Sequence, residues 1–171
     1  MSNIIMLGDS LTFRNNWNQM LNRQDIINLG ADGETTYGIY YRLESIELEG
    51  VSSICLMIGI NDLLQEENLE AVYQRYEMIV NYFTQEKLRI IIQAILYVTQ
   101  DTFESHIIND EVDIINKKLQ NLAKRENFDF LDLNPYLSDS GALEAIYSID
   151  GVHLKANAYK VWSTYLNRLL Q

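Results

Sequence analysis

Five short apolar runs, each cut off by glycine or small polar residues, constrain this chain more than any other feature. They lie at 4–7, 25–29, 53–58, 89–96 and 128–133. Several are continuously apolar and β-branched rather than alternating, as strands covered on both faces are. Helix-period patterns separate them. Leu69, Val72, Tyr73, Tyr76, Ile79, Val80 and Phe83 recur at three- and four-residue spacing. Ile108, Val112, Ile115, Leu119 and Leu122 do the same over a helix expected at 103–125, with Asp101 and Glu104 spaced as a capping box. Ala158, Trp162, Tyr165, Leu166 and Leu169 close the series; Ile39, Leu43 and Ile46 make a weaker one, and a short helix is expected within 13–22. Strand and helix alternate throughout. That pattern predicts one α/β layered domain over 1–171, with a parallel sheet and right-handed crossovers.

Charge narrows the partners. The chain carries 24 acidic and 13 basic residues, a formal charge of −11, which disfavours nucleic acid and anionic membrane surfaces. Cys55, the single cysteine, sits inside an apolar run and reads as a buried structural thiol. No apolar stretch approaches the roughly 20 residues of a membrane span, and the amino terminus lacks a signal-peptide layout. A cytoplasmic protein acting on a small molecule is the expectation.

In parallel α/β sheets ligands bind at the carboxyl ends of the strands. The first run ends in Gly8-Asp9-Ser10-Leu11 and the second leads into Ala31-Asp32-Gly33-Glu34-Thr35-Thr36. Gly59-Ile60-Asn61-Asp62 follows the third, Thr99 the fourth, and Asp150-Gly151-Val152-His153 precedes the last helix. A serine hydroxyl needs a base to take its proton, and imidazole needs a carboxylate to fix its tautomer. Ser10, His153 and Asp150 can fill these roles. The Ser10 N–H, the Gly33 N–H and the Asn61 amide are candidate donors for an oxyanion. A Gly-Asp-Ser tripeptide alone is expected in roughly 2% of chains this size, so the weight lies in the order and location of all four blocks.

Together these blocks resemble the SGNH hydrolases, also called GDSL esterases, and the matches span residues 3 to 169. The resemblance implies a three-layer α/β/α flavodoxin-like sandwich with a five-stranded parallel sheet, order 2-1-3-4-5. It implies Ser10 as nucleophile, His153 as base and Asp150 as its orienter, with Gly33, Asn61 and the Ser10 N–H as oxyanion hole. Where the family's second block usually reads Gly-Asp-Thr, this chain has Glu34 after Gly33. The stretches are similar to the branch of platelet-activating-factor acetylhydrolase-like enzymes and carbohydrate O-acetylesterases. Relatives of that kind also occur attached to sialic-acid-activating synthetases.

Plainer readings stand beside these. Ser10 alone would read as a helix N-cap. Asp9 and Asp62 suit Asx-type bonds to loop amides, while Asp9 and Thr99 are also the candidates for touching substrate. His106 reads as a surface or packing residue, and Trp17 is ambiguous. Tyr37, Tyr40 and Tyr41 read as helix packing, and exposed aromatics there would offer a homodimer face. The favoured function is a serine esterase acting without cofactor or metal on a short acyl ester, with an acetylated sugar as the expected substrate. No long apolar connection is available as a lid, which disfavours aggregated lipid. Lysophospholipid or thioester cleavage is the alternative. A Mg²⁺- or phosphate-binding module built on Asp9, Asp32 and Asp62 is the rival from another class. Against it, no phosphate-binding glycine loop is present.

Overall fold

The computed structural model describes residues 2–171. Five parallel strands, β1 (Asn3–Gly8), β2 (Ile26–Gly30), β3 (Val51–Met57), β4 (Arg89–Gln93) and β5 (Asp129–Leu131), pair in the order β2-β1-β3-β4-β5. The helices are α1 (Ser10–Phe13), α2 (Trp17–Leu21), α3 (Thr36–Arg42), α4 (Ile60–Leu64), α5 (Leu69–Gln85), α6 (Ser105–Glu126), α7 (Asn134–Leu137) and α8 (Ala156–Leu169). A two-stranded antiparallel hairpin, β6 (Ser138–Asp139) and β7 (Ala142–Leu143), follows α7.

Ile4 to Leu7 are all buried although neighbouring side chains point to opposite faces, so β1 is covered on both sides. The order reverses around β1: the chain steps outward to β2, then crosses back to β3. Right-handed crossovers in opposite directions put helices on both faces and make three layers. On one face Trp17 of α2 lies edge-on to Trp162 of α8, with ring centroids 4.8 Å apart. Such a pair adds about 1 kcal/mol beyond its burial. Trp17 is thus a core residue, and its Nε1 donates to Thr12 O at 2.8 Å. On the other face α3 packs on α5 and α5 on α6. The helical stripe Val72, Tyr76, Ile79, Val80 and Phe83 is buried there.

Four expectations change. The fourth run is strand only to Gln93, because β3 and β5, its partners on either side, end beside it. Beyond that point asparagine side chains stand in for strand neighbours. Asn116 bonds Ile95 N–H and C=O, Asn109 bonds both groups of Val98, and Asn134 accepts from Tyr97 N–H. Buried backbone polar groups must be paired, and here side chains do it. The capping box at Asp101 and Glu104 does not form: Glu104 is itself the N-cap, in left-handed conformation (φ 53°), without a side-chain cap bond. The short helix of 13–22 splits into α1 and α2, with Asn16 capping α2 through Gln19 N–H. Tyr37, Tyr40 and Tyr41 are exposed rather than packed between helices, because the buried side of α3 is taken by Thr36 and Ile39. His106 is exposed on α6. Among the described residues no helix is long and apolar enough to cross a membrane.

Candidate active site

The sheet order reverses between β1 and β3, and the segments leaving their carboxyl ends carry Ser10 and Asn61. Gly8 and Gly30 face each other in register. A Cβ on Gly8 would collide with Met57 O and Thr12, and one on Gly30 with the backbone of Phe13 and Asp9. Their bare backbones let α1 settle directly on the edge of the sheet.

Asp9, not Ser10, caps α1: its Oδ1 accepts from Leu11 N–H at 2.9 Å. Ser10 is the first helical residue, so its hydroxyl is free for another partner. Its Oγ lies 3.0 Å from His153 Nε2, and His153 Nδ1 lies 2.7 Å from Asp150 Oδ2. With the Nδ1 proton held by Asp150, Nε2 presents its lone pair to the serine. A hydroxyl so placed can pass its proton to the ring as it attacks.

The turn that carries the base is tightly tied. Asp150 Oδ1 accepts from the N–H groups of His153 (2.8 Å) and Val152 (3.1 Å). Burial alone would raise the Asp150 carboxyl, but hydrogen bonds from the His153 N–H and ring, and from Val152, hold it down at about 2. It stays ionised opposite the ring. Gly151 takes φ 102° and donates to Ser148 Oγ, which in turn donates to His153 O. Thr99 N–H donates to Gly151 O at 2.9 Å, which fixes the turn to the segment after β4.

The oxyanion candidates lie on the three segments that leave β1, β2 and β3. Gly33 has φ 71°, and nothing lies within 4 Å of where a Cβ would stand, so its backbone faces open space. Neither the Ser10 N–H nor the Gly33 N–H has an acceptor among the described residues. Asn61 donates one amide hydrogen to Glu34 O at 2.9 Å and keeps the other free. Three donors therefore remain without acceptors on the segments that leave β1, β2 and β3.

The two residues expected to touch substrate, Asp9 and Thr99, are both buried. Asp9 is 1% exposed, and burial, partly opposed by the Leu11 N–H and reinforced by nearby Asp62 and Glu34, pushes its carboxyl up to about 7. Thr99 is 6% exposed and works through its backbone bond to Gly151, although it also lines a cavity of about 310 Å³ with Gln100, Asp139 and Glu144. Asp9, Asp32 and Asp62 are not gathered into a metal site: Asp32 pairs with Arg14 at 2.8 Å and Asp62 with Thr36 and Arg75. Sequence reasoning did not single out Thr36 and Arg75, nor Ser148. Arg75 sits mid-way along α5 with no motif around it, and no local signal marks it.

The model of the GDSL-like lipase/acylhydrolase family matches residues 6–161. The chain belongs to that family. GDSL acylhydrolases are carboxylic ester hydrolases. Curated relatives include N-acylneuraminate cytidylyltransferase of Streptococcus agalactiae, 23% identical over 154 residues. The match takes in 90% of this chain and 35% of that protein, so the chain spans about a third of the relative's length. Solved structures with this fold include a Streptococcus pneumonia protein named for platelet activating factor, at 24% identity and TM-score 0.89, covering 99% of this chain and 84% of that one. An acetyl xylan esterase, AlAXEase, superposes with TM-score 0.77 at 19% identity, covering 99% of this chain and 100% of that one.

Proposed function

We propose that this GDSL acylhydrolase removes a short acyl group, acetyl above all, from a small soluble ester such as an O-acetylated sugar. The observation that carries the mechanism is the unbroken chain Ser10 Oγ–His153 Nε2–Asp150, at 3.0 and 2.7 Å, beside free N–H donors. Ser10 Oγ attacks the carbonyl carbon while its proton passes to His153 Nε2. The carbonyl oxygen becomes an oxyanion held by the Ser10 and Gly33 N–H groups and the second Asn61 amide hydrogen. The C–O bond then breaks, and the imidazolium gives its proton to the departing alcohol. Water, deprotonated by His153, attacks the acyl-Ser10 ester, and the acid leaves as Ser10 recovers its proton. No cofactor enters any step.

Three facts support an acetylated sugar. One protein of the same fold is named for acetyl xylan, and the curated relatives for an N-acylated sugar acid, a sugar with acyl chemistry though on nitrogen. The site also lies on α1 and two turns at the sheet edge, with no long apolar segment to enclose a fatty chain. In the test, acetate, butyrate and octanoate p-nitrophenyl esters are compared with acetylated xylo-oligosaccharides, using the wild type and Ser10→Ala. Ser10→Ala should lower kcat by about four orders of magnitude or more while the protein stays folded. Full activity in that variant sinks the mechanism, and preference for octanoate with no acetate released from sugars sinks the substrate class.

A further inference from the structure

Asp62 is fully buried, one residue beyond Asn61, and its carboxylate reaches back to the loop that carries Gly33. Thr36 N–H donates to it at 2.9 Å and Thr36 Oγ1 at 2.6 Å. Arg75 closes the ring from α5: its Nε donates to Thr36 Oγ1 at 2.9 Å, and its other nitrogen reaches Asp62 at 3.4 Å and Glu67 at 3.0 Å. Asn61 and Gly33 belong to different crossovers, and the one bond that joins them directly, from the Asn61 amide to Glu34 O at 2.9 Å, is made by a side chain on a short helix. The helix that carries Asn61 is five residues long, and its N-cap, Gly59, has no side chain to anchor it.

We propose that Asp62, Thr36 and Arg75 are positioning residues that fix the separation of the two oxyanion donors, Asn61 and Gly33, in the reaction proposed above. The Asn61 bond to Glu34 O sets the orientation of the amide, and the Asp62–Thr36 contact sets how close the two loops sit. Arg75 has a second part. A buried carboxylate next to Asn61 would oppose a developing negative oxygen, and the guanidinium offsets that charge from the far side. The arrangement acts on the transition state more than on the bound ester, because an oxyanion needs its donors at hydrogen-bond distance and a ground-state carbonyl needs them less.

The deciding pair is Thr36→Val, which keeps the side-chain shape without the hydroxyl, and Thr36→Ser, which restores it. With p-nitrophenyl acetate, Thr36→Val should lose about 10- to 100-fold in kcat with KM little changed, and Thr36→Ser should recover most of the loss. The Asn61 side-chain amide resonances should shift in Thr36→Val and return in Thr36→Ser. Should Thr36→Val fail to fold, Asp62→Asn takes its place, with the same direction expected in kcat and in the resonances. A folded Thr36→Val with wild-type kcat, a rise in KM alone, or unmoved Asn61 resonances would each overturn the proposal. If the wild type cleaves no ester, the function proposed above falls instead, and the resonances still test the positioning.

Discussion

Asp9→Asn isolates one buried carboxyl beneath the nucleophile. Its folded value is about 7 against an ordinary 3.8, with burial as the main cause. Between those values the folded protein keeps a proton that the unfolded chain has lost. The stabilisation is therefore complete below 3.8 and is lost as pH rises through 7. At about 1.4 kcal/mol per pH unit, the interval sets a ceiling of about 4 kcal/mol, with no discount for solvent because the group is enclosed. Asparagine cannot ionise, yet it keeps an oxygen for the Leu11 N–H, so the helix cap survives. The stability of Asp9→Asn relative to wild type should accordingly climb by about 2–4 kcal/mol from about pH 4 to about pH 8. Urea unfolding followed by circular dichroism at a series of pH values reads this directly, and the slope with denaturant should stay the same in both proteins. Parallel pH–stability curves for the two proteins would refute the reasoning, since they would mean that Asp9 titrates alike in folded and unfolded chains.

Asp150→Asn should lower kcat by up to about 10⁴-fold with the fold intact, because the amide no longer enforces the Nδ1–H tautomer or balances the imidazolium; kcat with p-nitrophenyl acetate checks it. In the wild type the depressed Asp150 carboxyl, at about 2, contributes stability above pH 3.8 that is lost as pH falls toward 2. Half-exposed as this carboxylate is, screening holds that contribution to about 1 kcal/mol or less. Asn109→Ala leaves the buried Val98 N–H without an acceptor, while the Val98 C=O keeps the Leu143 N–H, and should cost about 1–3 kcal/mol in urea unfolding. A loss below about 0.5 kcal/mol would mean that water replaces the asparagine.

Strands, helices and the four chemistry-bearing blocks were legible because each is a local signal. An apolar run such as Ile4–Leu7 records burial on both faces wherever its neighbours lie, and Val72 to Phe83 record a helix face by spacing alone. Once the alternation implied a parallel sheet, the strand exits offered Ser10, Gly33 and Asn61 as candidates, and the loop before the last helix offered Asp150 and His153, without any contact being known. Local signals failed where two groups competed for one role or where a partner came from far along the chain. Asp9 and Ser10 both suit a cap, and the close seating of α1 on Gly8 and Gly30 gave the cap to Asp9 and freed the serine. The Asn116, Asn134 and Asn109 bonds that finish the fourth run span 21, 37 and 11 residues. Arg75 meets Thr36 across 39 residues, and Asp62 meets it across 26. Periodicity reports only that a side chain is buried; which polar group answers a buried carboxylate is set by how α3, α4 and α5 pack, and that exists only in the folded chain.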